Sequence, residues 1–182
     1  MCKIFLFMMV SLDGYFEGEN HDLSWHNVDA EFNAFAHEQN NRLDTILFGR
    51  TTYDLMASFW PSEEGRQGDP ETAEWMTHAR KVVVSETFDP VWENTEVVSE
   101  NVVDAVTKLK AEPGTDIVIL GSNMLCTSLM EHGLVDEFRL MYNPVAIGSG
   151  TRLFKGLSKP TKFTLIDSRV FSSGNVLNRY TK

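Results

Sequence analysis

Two segments of the chain share one grammar: a β-branched run, a glycine, a hydroxyl or amide residue, then a helical pattern. They are Thr45-Ile46-Leu47-Phe48-Gly49-Arg50-Thr51-Thr52 and Ile117-Val118-Ile119-Leu120-Gly121-Ser122-Asn123. A helix N-terminus presents unpaired N–H groups and about half a positive charge, which suits phosphate. Glycine lets a ligand approach the backbone, and Arg50 adds a rigid cationic fork. Ordinary strand-to-helix turns use the same residue types, so the pattern alone leaves both readings open. Neither segment matches the G-x-G-x-x-G fingerprint or the P-loop, which argues against a Rossmann dehydrogenase or an ATPase.

Other chemistries find little support. His21, His26, His37, His78 and His132 lack an H-x-x-x-H spacing, and no metal is expected. Ser122 is not set in a nucleophile elbow, so a hydrolase triad is not expected. Cys2 and Cys126 stand far apart without a partner motif, which fits a reducing, cytoplasmic setting. With a net charge of −10, the chain is not expected to bind nucleic acid. An anion must then be held by local donors.

The elements that would position these residues follow from periodicity. The 182 residues are 42% hydrophobic and 23% charged, the profile of one globular domain spanning 1–182. Lys3–Ser11 reads as a buried strand ended by Asp13-Gly14; its apolar run is too short to span a membrane. Residues 17–27 read as a polar loop carrying Trp25. Asp29 caps a helix running to about Leu43, with Phe32, Phe35 and Ala36 on one face. Strands are expected at 44–48, 81–85, 96–98 and 117–120, and helices after Gly49 and at 71–79, 101–110 and 123–131. Residues 61–70 read as a surface loop. Residues 135–145 alternate like a strand, and 162–171 with 175–180 form a hairpin across Ser172-Ser173-Gly174. Alternating strands and helices followed by a hairpin predict an α/β fold: a mixed, mostly parallel sheet flanked by helices, with an antiparallel C-terminal edge.

The order of motifs carries more than any one of them. Ser11-Leu12-Asp13-Gly14, then Gly49-Arg50-Thr51-Thr52-Tyr53, then Val82-Val83-Val84-Ser85, resembles the dihydrofolate reductase-like superfamily. Val118-Ile119-Leu120-Gly121-Ser122, Gly133-Leu134-Val135-Asp136-Glu137 and Pro144-Val145-Ala146-Ile147-Gly148-Ser149-Gly150-Thr151-Arg152-Leu153-Phe154 are similar to the branch containing the C-terminal reductase domain of the riboflavin biosynthesis deaminase-reductase. The resemblance implies a three-layer dihydrofolate reductase-like fold and an NADPH-dependent oxidoreductase, in the cytoplasm, acting on a small heterocycle. It also implies a homodimer.

Carried over by position, Gly49, Arg50 and Thr51 would lie by the cofactor phosphates and Ser85 near the adenosine ribose or its 2′-phosphate. Gly121, Ser122, Asn123 and Met124 would wrap the pyrophosphate, and Val10 with Asp13-Gly14 would line the nicotinamide side. Asp13, Trp25, Tyr53 and Asp54 are the candidates for proton delivery or substrate contact. Two positions depart from the pattern: Asn33 stands where dihydrofolate reductases carry an acid, and Leu120 where the riboflavin-pathway domain carries a glutamate. A nucleotide- or metabolite-binding protein without turnover is the alternative.

Overall fold

The computed structural model describes residues 2–182. The chain runs β1 (Ile4–Val10), β2 (Tyr15–Glu17), a 3₁₀ turn (Glu19–His21), α1 (Ala30–Asn40), β3 (Leu43–Gly49), α2 (Arg50–Phe59) and α3 (Glu63–Gly68). It continues through α4 (Pro70–His78), β4 (Arg80–Val84), β5 (Thr95–Val98), α5 (Val102–Ala111), β6 (Asp116–Ile119) and α6 (Asn123–Glu131). The last elements are β7 (Glu137–Tyr142), β8 (Thr151–Arg152), β9 (Thr164–Val170) and β10 (Val176–Thr181).

Eight strands form one sheet in the order β5-β4-β3-β6-β1-β7-β10-β9. The first six are mutually parallel; β10 is antiparallel to β7, and β9 to β10. Side chains alternate across a strand, and here each central strand feeds two apolar layers. Ile4, Leu6, Met8 and Val10 of β1 pack with Leu47, Val82, Ile117, Ile119, Phe138 and Leu140, beneath Val106 and Leu109 of α5 and Leu125 and Leu129 of α6. Phe5 turns the other way, with Ile46, Phe48, Val83 and Val118, against Tyr53 of α2 and Met76 of α4. The result is a three-layer α/β fold. Among the described residues no helix is long and apolar enough to cross a membrane, and no cluster of three His, Cys, Asp or Glu could hold a metal.

Three segments differ from expectation. Residues 61–70 are not all loop. Ser62 caps α3 by accepting from Gly65 N–H, and Asp69 caps α4 with Pro70 at its first turn. Those are ordinary start signals set among glycines and glutamates. The 17–27 stretch begins on β2, which pairs antiparallel with the two-residue β8 far along the chain. The alternating run from 135 to 145 forms a strand only over Glu137–Tyr142, stopping at Asn143-Pro144.

Candidate functional site

Because β1, β3, β4 and β6 are parallel, their carboxyl ends emerge together, the usual ligand side of an open α/β sheet. At that edge the two glycine turns touch. Gly49 N–H donates to Gly121 C=O at 3.0 Å. A Cβ on Gly49 would stand 2.5 Å from Ser122 Oγ, and one on Gly121 would stand 2.6 Å from Thr52 Oγ1. Gly121 has φ +129°, a region that side chains disfavour, and its peptide bond to Ser122 is cis. The glycines are therefore required by the fit of one turn against the other.

The helices that follow begin without a side-chain cap, as α5 does at Asn101, but unlike α5 they carry no acid in the first turn. Asp29, Ser62 and Asp69 cap α1, α3 and α4 with their own side chains. The N-caps of α2 and α6, Gly49 and Ser122, make no side-chain cap bond, and neither first turn carries an acid. Their leading N–H groups and positive dipole ends are left to an anion.

Around these helices the candidate residues are placed as follows. Arg50 Nη1 donates to Thr87 C=O at 3.3 Å, and Ser85 Oγ donates to the same carbonyl at 3.5 Å, so the two meet at one corner. Arg50 also stacks 4.1 Å from the Phe88 ring centroid. Thr51 and Met124 are exposed on the first turns of α2 and α6. Asn123 is buried, its amide donating to Arg152 C=O at 3.5 Å. Val10 is buried, and its carbonyl accepts from Asn143 N–H at 2.8 Å.

The candidate proton donors find other partners. Asp54 binds Arg50 Nε at 2.6 Å, half exposed one turn along α2, so its carboxylate serves the guanidinium. Tyr53 is fully buried, its hydroxyl accepting from Trp92 N–H at 2.9 Å. Asp13 accepts from Ser11 Oγ at 2.7 Å, Gly148 N–H at 2.8 Å and Ile147 N–H at 3.2 Å. These bonds, that from Ser11 foremost, hold its pKa down at about 2. A carboxyl this acidic carries no proton near neutrality; Asp13 staples the β1–β2 turn to the 147–148 loop instead. The acids flanking Asn33 are also committed: Asp29 to its cap, Glu31 to Ser172 N–H at 2.8 Å. Trp25 is half-buried, its Nε1 donating to Asp22 C=O at 3.2 Å and its ring edge-to-face on His26.

Several residues at this edge were not among the candidates. Thr52 is the side chain that meets Gly121. Glu17 is buried with one polar partner, His21 Nδ1 at 2.7 Å, beside an open cavity of about 530 Å³ lined also by Gly150 and Thr151. Arg152 lies across the β1–β2 turn, its Nη1 donating to Asp13 C=O at 3.0 Å. The only sequence signal for Arg152 was its place at the end of the Gly148-Ser149-Gly150 motif. A smaller cavity of about 330 Å³, near Cys2 and Arg80, lies at the opposite ends of the parallel strands.

Comparisons with known proteins agree with this architecture. Residues 2–177 match the family described as the RibD C-terminal domain. The uncharacterized protein YyaP of Bacillus subtilis is 35% identical over 176 residues, covering 96% of this chain and 92% of its own. The diaminohydroxyphosphoribosylaminopyrimidine deaminase/5-amino-6-(5-phosphoribosylamino)uracil reductase of Thermotoga maritima has a TM-score of 0.69 at 19% identity, covering 99% of this chain and 56% of that one. Dihydrofolate reductase from Enterococcus faecalis, solved with NADP(H), has a TM-score of 0.66 at 14% identity, covering 98% and 95%. The fold is that of dihydrofolate reductase, and the chain belongs to the RibD C-terminal domain family.

Proposed function

We propose that this chain is an NADPH-dependent reductase that acts on a small heterocycle and works as a single domain over residues 1–182. The observation that carries the reading is the pair of uncapped, acid-free helix N-termini meeting at Gly49 and Gly121. The residues fit a dinucleotide. Gly49, Arg50 and Thr51 would hold phosphate at α2, with Ser85 beside Arg50 for the adenosine ribose or its 2′-phosphate. Gly121, Ser122, Asn123 and Met124 would wrap the pyrophosphate, while Val10 and Asp13-Gly14 would border the nicotinamide and Trp25 the substrate. When bound, the reduced nicotinamide supplies a hydride. The chain supplies orientation: the touching turns fix two phosphate sites, and the Asp13 staple fixes the wall beside the β1 end.

Titration of NADPH and NADH by nicotinamide fluorescence, on the wild type and Arg50→Ala, tests this. NADPH should bind more tightly, and the variant should lose more affinity for NADPH than for NADH. Failure of both to bind at millimolar concentration overturns the reading. A second reading, binding without turnover, is favoured by the commitment of Asp13 and Asp54 to other partners. Screening pterins and pyrimidines as oxidants separates the two.

We also place the protein in the cytoplasm as a homodimer. Its two cysteines are free and buried. The outer strand β9 exposes all seven residues, including Leu165, Ile166 and Val170, an edge suited to a second copy.

A further inference from the structure

Strands inside a covered parallel sheet are buried along their length, and β1, flanked by β6 and β7, lies inside this one. Phe5, Phe7 and Met9 project to the same face. Phe5 is 1% exposed and Met9 7%, yet Phe7 between them is only partly buried. Leu120, just beyond β6, repeats the anomaly, for Val118 two residues before it is wholly buried and Leu120 is not. The pairing of Phe5 with Val118 and of Leu6 with Ile119 carries on to set Phe7 beside Leu120. Two neighbouring apolar side chains on one face of the sheet are thus open to solvent.

The helices account for the opening. Tyr53 places α2 over β3 and β4, packed with Phe48 and Val83. Phe32 and Phe35 place α1 over β1, their ring centroids 6.4 and 6.0 Å from that of Phe7. β6 runs in the interval between. One end of that interval is closed by α4, whose cap Asp69 meets His37 of α1 at 2.8 Å and whose Met76 packs in one cluster with Phe5. At the carboxyl end Phe7 and Leu120 form the floor of a cleft, with Phe32 on one wall and Met56 on the other. Met56 follows Thr52 by one turn of α2, and Thr52 meets Gly121, so both face β6. Trp60 Nε1 donates to Met56 Sδ at 3.1 Å and steadies it.

The titratable side chains of the two helices are turned to other partners. Glu31 bonds Ser172 and Arg169, His37 bonds Asp69 and Glu71, Glu38 pairs with Arg42, Arg50 with Asp54, and the Tyr53 hydroxyl accepts from Trp92 N–H. β1 is apolar throughout. A charged group entering the cleft would therefore shed water without gaining a counter-charge, whereas a flat ring would gain stacking and edge contacts with Phe7 and Phe32. The cleft is continuous with the glycine turns, since Leu120 leads directly into Gly121. We infer that its occupant is an uncharged, planar aromatic ring, held between Phe32 and Met56 against Phe7 and Leu120. That this ring is the substrate rests on the reductase reading; the selectivity of the cleft does not.

The test uses three probes that share one ring and differ in charge at neutral pH: naphthol, naphthalenesulfonate and naphthylmethylammonium. Methyl NMR signals of Met56 and Leu120 report occupancy. Naphthol should shift both and bind at least about tenfold more tightly than either ion. Met56→Glu, read at Leu120, should weaken naphthol and favour the ammonium ion over the sulfonate by about tenfold or more. Met56→Leu should keep naphthol within about threefold of the wild type. Equal affinity for the three probes in the wild type overturns the inference, with no variant needed, and so does an unchanged ranking in folded Met56→Glu. With NADPH saturating, naphthol should still shift both methyls, as a substrate beside a cofactor must. If NADPH excludes naphthol, the cleft belongs to the nucleotide and the substrate assignment falls. If NADPH does not bind while naphthol does, the reductase reading falls and the cleft stands.

Discussion

The two halves of the ligand edge are built in opposite ways. At the β3–β6 side each element is contiguous: a strand, a glycine and a helix in unbroken sequence, with the two copies brought together by parallel neighbours in the sheet. At the β1 side the wall is assembled from fragments far apart in sequence. Asp13 bonds residues 147 and 148, Tyr15 pairs with Arg152, and Asn27 with Asn143 and Asn175. The first arrangement places groups by local chain geometry; the second depends on side chains that staple loops. A phosphate groove common to many ligands suits the first, and a pocket that varies between relatives suits the second.

The largest effect expected is at the contiguous half. Gly121→Ala forces a Cβ against Thr52 Oγ1 in a backbone region that alanine rarely adopts. It should cost about 3 kcal/mol by chemical denaturation and abolish NADPH binding. An unchanged denaturation midpoint would show that the turn relaxes freely, and the distinction between the halves would weaken.

The stapled half should fail first in acid. His26 is pulled down to about 4 by burial, opposed by a backbone hydrogen bond at Phe16 and by Asp22. Between an unfolded value near 6.5 and about 4, the unfolded chain binds more protons than the native one, so stability falls as pH falls. The loss approaches about 3 kcal/mol below pH 4. His26→Phe should flatten that slope between pH 7 and 4.5; a slope unchanged from wild type would assign the acid loss elsewhere.

The same contrast explains what was legible in the sequence. The Gly49 and Gly121 turns, α1 with its Asp29 cap and the closing hairpin were readable because each is signalled by neighbouring residues. The short β2 and β8 were not, since a two-residue strand exists only through its distant partner. The partners of Asp13 and Asp54 were hidden for a related reason. Type and position suggested acids facing a ligand, but the donors that meet them, Gly148 N–H and the Arg50 guanidinium, lie on a distant segment or one turn back on the same helix face. Arg152 was visible only as part of a motif, because what holds it, the Asp13 carbonyl and the Tyr15 hydroxyl, lies far back along the chain.

A milder break of the staple is Asp13→Asn, which weakens the bonds from Ile147 and Gly148. Faster hydrogen exchange at those two amides is expected, with NADPH affinity changed less than in Gly121→Ala. In the wild type the carboxylate's folded value of about 2 lies below its ordinary 3.8. The staple's contribution is therefore full above pH 3.8 and is lost as pH falls through about 2. Exchange as slow in the variant as in the wild type would mean that Tyr15 and Arg152 hold the loop alone.

The smallest effect sharpens the contiguous half. Asp54 and Arg50 form an exposed i,i+4 pair, and such pairs contribute less than about 1 kcal/mol to stability. Asp54→Asn should therefore leave the melting temperature nearly unchanged. Yet it removes the acid closest to the guanidinium proposed for phosphate, so NADPH affinity should rise a few-fold, and more at low ionic strength, where screening is weak. NADH, lacking the extra phosphate, should respond less. A fall in NADPH affinity would instead show that Asp54 aims Arg50 at the ligand, the pair acting as one unit in which the carboxylate directs the fork that it partly neutralises.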